Sequence, residues 1–426
     1  MKNYETRDPI YGFISFNEWE REIINSQWFQ RLRHIRQLAL TDMIYPGALY
    51  SRFEHSLGVM HLATLMFDSI TTNRHNKVIL ENEMQYNDSG LKKDRQLIRL
   101  AALLHDIGHA PFSHASEEIM PINNKTGKQY QHEDYSIAII NGPLKELIEE
   151  NKFNKNNYTI KAEDVSALIE GNPTSLKGRI FWKTLISSQL DADRGDYLLR
   201  DSHHIGVKYG VYDYQRLLNT VAIGNDPDSD DLILGVDEGG WHVAEAVVLA
   251  RYQMFSQVYF HKTRRAYDYH LKNALIAALP NGKLPSPNKI NAYLDRDDFY
   301  AWNLLKKNKD IPDCKAILER NHIRLVFSTD ETTDESNATK LKKIENLLKN
   351  SQIWYHVDNS KGVWYKMNKE KGDNKEIIII DSEKNSARPL SSYSRIAKNI
   401  GAINQFRIYV KPEDRKRSME IISCSK

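Results

Sequence analysis

The sequence predicts a mainly α-helical protein with a smaller C-terminal region of mixed α and β structure. In the first part of the chain, apolar residues recur at helical spacing, as in SLGVMHLATLMFDSI (56–70) and LIRLAALLH (97–105). After PNGKLPSPN (280–288), short β-rich runs replace this pattern: IRLVF (323–327), GVWYKM (362–367), EIIIID (376–381) and QFRIYV (405–410). We therefore expect a helical region over residues 1–282 and an α+β region over 283–426, the latter with a regulatory or oligomerisation role.

Composition limits the classes of function. The 426 residues carry a formal charge of +3, so the chain is no polycation and nucleic acid is not a favoured partner. The two cysteines, Cys314 and Cys424, form neither a disulfide framework nor a thiolate metal site. The N-terminus lacks an apolar signal core, and no stretch reaches the roughly 18 apolar residues of a membrane span. We expect a soluble, cytoplasmic protein with no membrane partner.

Polar turns separate the predicted helices. NDSGLKKD, NNKTGKQ and NDPDSDD interrupt the apolar periodicity, as loop segments do. A long amphipathic stretch over residues 244–279 predicts one extended helical segment that ends before Pro280.

The helix over residues 97–104 ends in an adjacent His105–Asp106 pair, with Gly108 allowing a sharp exit from the helix. Neighbouring helical positions lie about 100° apart, yet both side chains can reach one point beside the helix end. An imidazole and a carboxylate together suit a borderline or hard divalent cation better than thiolate chemistry would. Two ligands do not complete a site, so we expect others from elsewhere in the chain.

Two further segments offer such ligands. His55 lies within the apolar-periodic helix of RFEHSLGV, although a lone helical histidine is more often a hydrogen-bonded core residue. The segment SSQLDADRGDYLLRDSHH contains four aspartates, of which we expect one or two to point inward: Asp191, Asp193, Asp196 and Asp201. Polar groups on apolar helices need partners, so the joint pattern favours a common site.

The strings FQRLRHIRQL, YPGALYSRFEHSLGV, HDIGHAPFSH and DADRGDYLLRD resemble the HD-domain metal phosphohydrolases. Within them, the chain is most similar to the deoxynucleoside triphosphate (dNTP) triphosphohydrolases, from about residue 8 to residue 270. The resemblance implies an HD-domain helical core and a divalent metal (Mn, Fe, Mg, Co or Zn) held by His55, His105, Asp106 and Asp193. Asp193 is preferred to Asp191 because the relatives place the ligand at the second aspartate of this run.

The resemblance also implies roles for other residues. It implies catalytic roles for His109, His114 and His132. We expect His114 to be the general acid, with Glu117 one helical turn on and able to orient it, and His109 and His132 to contact phosphate and position water. The implied substrate-binding residues are Gln37, Leu38, Arg52, Arg194, Tyr197, Asp201, His261 and Lys262. Among these, Gln37 and Leu38 lie against the deoxyribose in the relatives, Asp201 meets the 3′-hydroxyl, and the cationic residues meet the phosphates. The reaction implied is cleavage of a dNTP to deoxynucleoside and triphosphate.

The chain departs from guanine-activated relatives at two positions. They carry an aspartate where this chain has Asn25 and a lysine where it has Tyr4, whereas Gln30 and Arg33 match. We expect a regulatory nucleotide site at Asn25, Gln30 and Arg33 with altered base choice, because an amide presents different hydrogen-bonding groups from a carboxylate. The resemblance implies a nucleotide activator and a homo-oligomer, between a dimer and a hexamer.

Mammalian relatives also carry an arginine near the position of Gln257 or Val258, for which Lys262, Arg264 or Arg265 could substitute here. Two alternatives therefore stay open. One is an HD phosphohydrolase acting on a monophosphate, a signalling nucleotide or a phosphodiester, and the other is a non-catalytic nucleotide sensor. The sequence leaves open whether the role is dNTP balance or antiviral defence against phage.

Overall fold

The computed structural model describes residues 2–83, 85–226, 232–331, 335–362, 376–384 and 386–424. Helices dominate it, which confirms the predicted fold class. None of the helices in the described part of the chain combines the length and the apolarity that a bilayer crossing requires.

The α-helices are numbered in chain order. They are α1 (Glu18–Ile24), α2 (Gln27–Gln30), α3 (Arg52–Thr72), α4 (Arg74–Glu83), α5 (Asp88–Leu104), α6 (His132–Asn141), α7 (Lys145–Glu149), α8 (Lys152–Asn157), α9 (Ala162–Glu170), α10 (Pro173–Leu176), α11 (Ala192–Ile205), α12 (Tyr214–Thr220), α13 (Trp241–Met254), α14 (Lys262–Ala278), α15 (Ile290–Leu294), α16 (Asp298–Lys307), α17 (Pro312–Leu318), α18 (Glu335–Asn350), α19 (Arg395–Asn399) and α20 (Arg415–Ser423).

The strands form small sheets. They are β1 (Asn3–Asp8), β2 (Gly12–Asn17), β3 (Val221–Asn225), β4 (Leu232–Asp237), β5 (Arg324–Ser328), β6 (Tyr355–Gly362), β7 (Ile378–Asp381), β8 (Ser386–Pro389) and β9 (Ile403–Val410). β1 and β2 pair as an antiparallel hairpin, β3-β4-β7-β8 form a mixed sheet, and β5-β9-β6 form an antiparallel sheet. The expectation that residues 1–282 are helical is therefore wrong at β1–β4. These strands are short and alternate or vary in burial, so their residues form no apolar stripe at helical spacing.

Helix α3 lies at the centre of the first region and packs against α5 and α11. Val59, Met60 and Ala63 of this helix are fully buried in the largest core cluster, together with Leu100 and Leu104 of α5. Burying both helices against each other stabilises the fold and fixes the two ends that carry polar side chains.

A second apolar cluster crosses the predicted boundary at residue 282. Tyr293, Leu305 and Ile317 pack in it with Leu40 and Phe112. Helices α15–α17 thus lie against the segments that precede α3 and follow α5. The division into regions 1–282 and 283–426 stays a prediction.

The β-rich runs predicted near the C-terminus correspond to β5, β7 and β9. Of GVWYKM (362–367), Gly362 ends β6 and the remainder lies outside the described residues. The sheet β5-β9-β6 packs with α18 and α20 around Val326, Leu348 and Ile408.

The predicted long helical segment over residues 244–279 is interrupted. α13 runs into a π-helical turn at Phe255–Tyr259, and α14 begins anew at Lys262. His261 is the N-cap of α14, because its Nδ1 accepts a hydrogen bond from the Thr263 N–H at 3.2 Å. A π-helical turn of this kind is frequent at functional sites.

Candidate active site

His55, His105 and Asp106 converge beside the packed ends of α3 and α5. His105 is the C-cap of α5 and Asp106 follows it in the turn, while His55 lies in the first turn of α3. Each residue places one ligand atom within 4.8 Å of the others, and all three side chains are buried. His55 Nε2 lies 3.4 Å from Asp106 Oδ2, and His105 Nε2 lies 3.3 Å from Asp106 Oδ1.

Asp193, in the first turn of α11, joins this group. Its Oδ1 lies 3.1 Å from His55 Nε2 and 3.8 Å from His105 Nε2, and its side chain is 36% exposed. Asp191 has a different position: it is the N-cap of α11, accepts the Arg194 N–H at 2.7 Å and pairs with the Arg194 guanidinium. The four residues that the resemblance assigned to the metal lie together, and Asp191 points elsewhere.

The outer nitrogens of both histidines have fixed partners. His55 Nδ1 lies 2.8 Å from Asp196 Oδ2, and His105 Nδ1 lies 2.8 Å from the carbonyl oxygen of Ala102. Both acceptors take a proton on Nδ1, so in its neutral form each ring would present the Nε2 lone pair to the cluster, which is the form that binds a metal. Nε2 of His105 is buried and, among the described residues, has no partner at hydrogen-bonding geometry.

These donors fit a divalent cation. Ligand atoms bound at right angles about 2.1 Å from one ion lie about 3 Å apart, close to the separations observed here. Two imidazoles and two carboxylates suit Mn²⁺, Fe²⁺, Co²⁺, Zn²⁺ or Mg²⁺ better than a thiolate-seeking ion. The group thus has the composition and spacing of a metal centre.

Both candidate carboxylate ligands are held in the charged form. Burial alone would raise the pKa of Asp106, but the Arg52 guanidinium and the His105 and His109 imidazoles hold it well below its usual value. Burial alone would also raise the pKa of Asp193, but the hydrogen bonds from His105 and His55 lower it. A deprotonated oxygen is the form that binds a metal.

A second group lies beside the first. The rings of His109 and His132 stack with centroids 3.9 Å apart, and His114 meets both edge-on at 4.8 and 5.4 Å. Glu117 Oε1 accepts from Nδ1 of His114 at 3.0 Å and lies 2.8 Å from Nδ1 of His132. His109 Nε2 lies 3.3 Å from Asp106 Oδ1, so the two groups share this carboxylate. Four ligand atoms within 4.8 Å give this group, too, the donors of a cation site.

Gly108 explains how His132 reaches this position. A Cβ at residue 108 would lie 2.3 Å from both the His132 carbonyl oxygen and the Ser136 nitrogen, so only glycine lets α6 approach the turn. Ser136 Oγ then donates to the His105 carbonyl at 2.8 Å and accepts from the Gly108 N–H at 3.0 Å.

The three imidazoles differ electrostatically. Burial, reinforced by the nearby Arg52 and His132, lowers the pKa of His109 well below its usual value, so its ring is neutral. Burial alone would lower the pKa of His132, but its hydrogen bond to Glu117 raises this pKa above the usual value. Although burial alone would raise it, the hydrogen bonds from His114 and His132 lower the pKa of Glu117. His114 is 61% exposed and faces solvent.

Asp201 lies in a buried polar environment about two turns further along α11 than Asp193. Its carboxylate accepts hydrogen bonds from the hydroxyl groups of Tyr50 and Tyr259. Leu38 is 5% exposed and packs with Tyr50, while Tyr259 lies against the same cluster. The Oε1 atom of Gln37 is buried and has no hydrogen-bond partner among the described residues.

The predicted cationic residues are less closely gathered. Arg52 is buried, pairs with Asp106 and donates from Nε to Ser113 Oγ at 2.8 Å. Arg194 is engaged by Asp191, and Lys262 is exposed at the start of α14 beside the N-cap His261. Tyr197 contacts Tyr259 edge-on at 6.3 Å.

The predicted regulatory residues lie close together in the chain, at the end of α1, at the end of α2 and in the 3₁₀ turn that follows α2. Asn25 is the exposed C-cap of α1. Gln30 donates from Nε2 to the Ile24 carbonyl at 2.8 Å and accepts from Arg33 Nε at 2.8 Å. Arg33 also stacks over the Phe53 ring at 3.6 Å.

Sequence reasoning assigned no specific role to three residues at this site. Asp196 orients His55, while Tyr50 and Tyr259 hold Asp201. Helical spacing from Asp193 could have indicated Asp196, whereas nothing local marks Tyr259. The expectation that one or two of the four aspartates in this segment point inward is also wrong: three of them, Asp191, Asp196 and Asp201, are buried, each with a cap, arginine or tyrosine partner.

The fold and site thus define a helical protein with a buried His/Asp cluster suited to a divalent cation. A model of the HD domain matches residues 52–201, and a model of the HD-associated region matches residues 212–350. The chain therefore belongs to the HD-domain family, with an HD-associated region following the HD domain.

Individual proteins show the same relationship. An uncharacterised protein from Methanocaldococcus jannaschii is 36% identical over 285 residues, which are 67% of this chain and 52% of that protein. The deoxynucleoside triphosphate triphosphohydrolase SAMHD1 of Danio rerio is 30% identical over 367 residues, 78% of this chain and 56% of that protein. The chain thus spans about half the length of these relatives. The crystal structure of a hypothetical protein from Aquifex aeolicus aligns with a TM-score of 0.79 and 27% identity, covering 99% of this chain and 100% of that one.

Proposed function

We propose that this chain is a metal-dependent dNTP triphosphohydrolase, which cleaves a dNTP into a deoxynucleoside and triphosphate. The observation that carries the proposal is the convergence of His55, His105, Asp106 and Asp193 beside a second group of three imidazoles and a carboxylate. Membership of the HD-domain family and the similarity to the zebrafish triphosphohydrolase support it.

The four residues of the first group would hold one divalent cation. Such a cation neutralises phosphate charge and lowers the pKa of a water molecule towards neutrality. The protein contributes the orientation of its ligands through Asp196 and the Ala102 carbonyl, and it keeps both carboxylates ionised.

His114 is the proposed proton donor. Water forms a new bond to the α-phosphorus and releases one proton to solvent, while the bond from that phosphorus to the 5′-oxygen breaks and the leaving oxygen takes a proton from His114 Nε2. The Nδ1–H of His114 stays hydrogen-bonded to Glu117 at 3.0 Å, which orients the ring. His109 and His132 would contact phosphate and position the attacking water.

The phosphate chain would meet Arg52, Arg194, Tyr197, His261 and Lys262. Arg52 supports this role because its Nη2 is buried without a hydrogen-bond partner among the described residues. Fixed cations of this kind stabilise charge that builds on phosphate oxygens in the transition state.

The sugar would lie between Leu38 and Asp201. Asp201 already accepts from two tyrosine hydroxyl groups and would accept a further hydrogen bond from a 3′-hydroxyl. Leu38 and Gln37 would lie against the 2′ carbon, where a ribose hydroxyl would be crowded by an apolar side chain. Replacing Leu38 with glycine is expected to reduce the preference for dNTPs over NTPs.

Nucleotide regulation is a further part of the proposal. Gln30 and Arg33 are hydrogen-bonded to each other, and Gln30 also donates to the carbonyl of Ile24, the residue before the exposed Asn25, so the three residues would offer donors and acceptors to a base. We propose that a nucleotide binds there and that the active form is a homo-oligomer.

The test is a screen of purified protein with Mn²⁺ and each dNTP, alone and in pairs, with products resolved by ion-exchange chromatography. The proposal expects deoxynucleoside and intact triphosphate, and it expects no turnover by Asp106→Ala or Asp193→Ala proteins whose circular dichroism remains helical. Release of monophosphate or diphosphate products would favour a different phosphohydrolase. Full activity of both variants would reject the metal site.

A further inference from the structure

Asp298 links two distant segments of the active site from a position that the proposed chemistry does not use. It is the first residue of α16 and is 4% exposed. Its Oδ1 accepts the Phe112 N–H at 2.7 Å, and its Oδ2 accepts the Arg36 N–H at 2.9 Å. One carboxylate from the HD-associated region thus joins the backbone before α3 to the backbone after α5.

The segment around Phe112 needs such a partner. Phe112 and Ser113 have φ values of 58° and 57°, in the left-handed region that residues with a Cβ rarely adopt. Such a conformation persists only where surrounding contacts hold it. The hydrogen bond from Phe112 to Asp298 is one of these contacts, and it lies two residues before His114.

Ser113 closes a ring between the same two segments. Its hydroxyl group donates to the Arg36 carbonyl at 2.6 Å and accepts from Arg52 Nε at 2.8 Å. Arg36 therefore uses its backbone N–H for Asp298 and its backbone carbonyl for Ser113. The residues that follow Arg36 are Gln37 and Leu38, the pair proposed to contact the sugar.

The charged groups around Asp298 are themselves engaged. Arg36 Nη1 pairs with Asp42 at 2.8 Å, and Arg31 donates to the His109 carbonyl at 2.9 Å. The neighbouring Asp297 pairs with His34 at 3.2 Å. Burial, opposed by the two backbone donors, raises the pKa of Asp298 to about 7, so at about pH 8 its carboxylate is ionised.

We propose that Asp298 is a positioning residue that holds the sugar-contacting segment and the proton-donor loop at a fixed separation. It supports both turnover and the choice of deoxyribose over ribose without touching either substrate or metal. The consequence for turnover rests on the proposed function, whereas the consequence for the two backbone segments does not.

The experiment compares Asp298→Asn with Asp297→Asn at about pH 8, where Asp298 is ionised. Asp297 is the matched control because it is the N-cap of the same helix, accepts the Tyr300 N–H at 2.8 Å, and meets the half-exposed imidazole of His34, which lies outside both peptides, at 3.2 Å. An asparagine at position 298 has one acceptor oxygen, so its NH₂ group must face one of the two backbone N–H groups, and that hydrogen bond is lost. Hydrogen–deuterium exchange of peptides covering residues 35–38 and 110–115 measures how firmly the two backbone segments are held. Steady-state kinetics on a dNTP and its matching NTP measures the effect of each substitution on turnover and on sugar preference.

We expect Asp298→Asn to speed exchange in both peptides and to lower kcat about tenfold, the effect of one lost hydrogen bond to a charged group. The dNTP-to-NTP ratio of kcat/KM should fall as well, with metal content unchanged. Asp297→Asn should lower Tm but leave both peptides and the ratio at wild-type values.

Wild-type exchange in both peptides, or equal changes in the two variants, would overturn the proposal. If Asp298→Asn does not fold, Asp298→Glu decides: it keeps the charge, shifts the oxygens by one methylene, and should show the same changes in weaker form. A wild-type protein inactive on every dNTP would refute the proposed function, and the exchange measurement would still decide the role of Asp298.

Discussion

Asp196 offers the sharpest test of the candidate metal centre, because it touches a proposed ligand but is not one itself. Its Oδ2 lies 2.8 Å from His55 Nδ1 and accepts from Arg200 Nε at 2.9 Å, while its Oδ1 accepts from Arg200 Nη2 at 2.9 Å. Asp196→Asn keeps the shape of the side chain and removes its charge. Arg200 remains anchored, because its Nη1 donates to Asp8 at 2.8 Å.

The size of the effect follows from these contacts. The carboxylate accepts three hydrogen bonds with two oxygens, whereas an amide has one oxygen and an NH₂ group that must face an arginine or histidine N–H. Loss of one hydrogen bond to a charged group costs about 1.5–3 kcal/mol. Loss of a carboxylate that orients a metal-binding histidine lowers metal affinity about 10- to 100-fold. We therefore expect Mn²⁺ to bind Asp196→Asn with an affinity reduced by that factor.

The assay is a competition titration of Mn²⁺ against a fluorescent chelator, together with metal content after dialysis. Glu20→Gln is the matched control: Glu20 is a buried carboxylate that accepts two hydrogen bonds from Arg99, at 2.6 and 2.7 Å, in the N-terminal part of the core. It should lose stability but keep the wild-type affinity for Mn²⁺. Wild-type affinity in Asp196→Asn, or an equal loss in both variants, would refute the orientation of His55 by Asp196.

Three further results are expected. Glu20→Gln leaves Arg99 buried without its charge partner, so urea unfolding should show a loss of about 3–5 kcal/mol, and a loss below about 1 kcal/mol would contradict this. Burial alone would raise the pKa of Glu20, but the Arg99 contacts lower it. The stability that Glu20 contributes is therefore present above its unfolded pKa of about 4.3 and is lost as pH falls further, so the two proteins should converge in unfolding free energy under acid; a constant difference would refute the sign. Gly58→Ala places a methyl carbon 1.9 Å from Asp196 Oδ1, so we expect about 1–3 kcal/mol of destabilisation and weaker metal binding, whereas Gly178→Ala, with nothing within 4 Å, should lower neither.

The helices of the core could be predicted from the sequence because their apolar residues keep one period over many turns. Arg52–Thr72 and Asp88–Leu104 are recognisable for this reason. The hairpin of Asn3–Asp8 and Gly12–Asn17 was missed because each strand has six residues, many of them exposed, and therefore shows little apolar signal. The break at Phe255–Tyr259 was missed because its sequence, FSQVY, contains neither proline nor glycine.

The candidate ligands could be proposed from sequence because two of them, His105 and Asp106, are adjacent and end an apolar helix. The choice of Asp193 over Asp191 required the resemblance, since composition and spacing alone treat the two carboxylates alike. The structure separates them physically: Asp191 lies one residue before α11 and caps it, whereas Asp193 lies in its first turn with Oδ1 3.1 Å from His55 Nε2. The assignment of the site residues stays a prediction until metal binding is measured.

The orientation of the ligands depends on contacts that no local pattern encodes. Asp8, at the end of β1, accepts a hydrogen bond from Arg200. Arg200 also donates to Asp196, and Asp196 is hydrogen-bonded to His55. The first of these pairs joins residues 192 positions apart, so the N-terminal hairpin supports the candidate metal centre without any residue in it. A motif can therefore specify which atoms face the cation. The geometry of those atoms, however, is set by buried ion pairs between residues that lie far apart in the sequence. We expect substitutions in these pairs to alter metal affinity although they lie far from the HD motif.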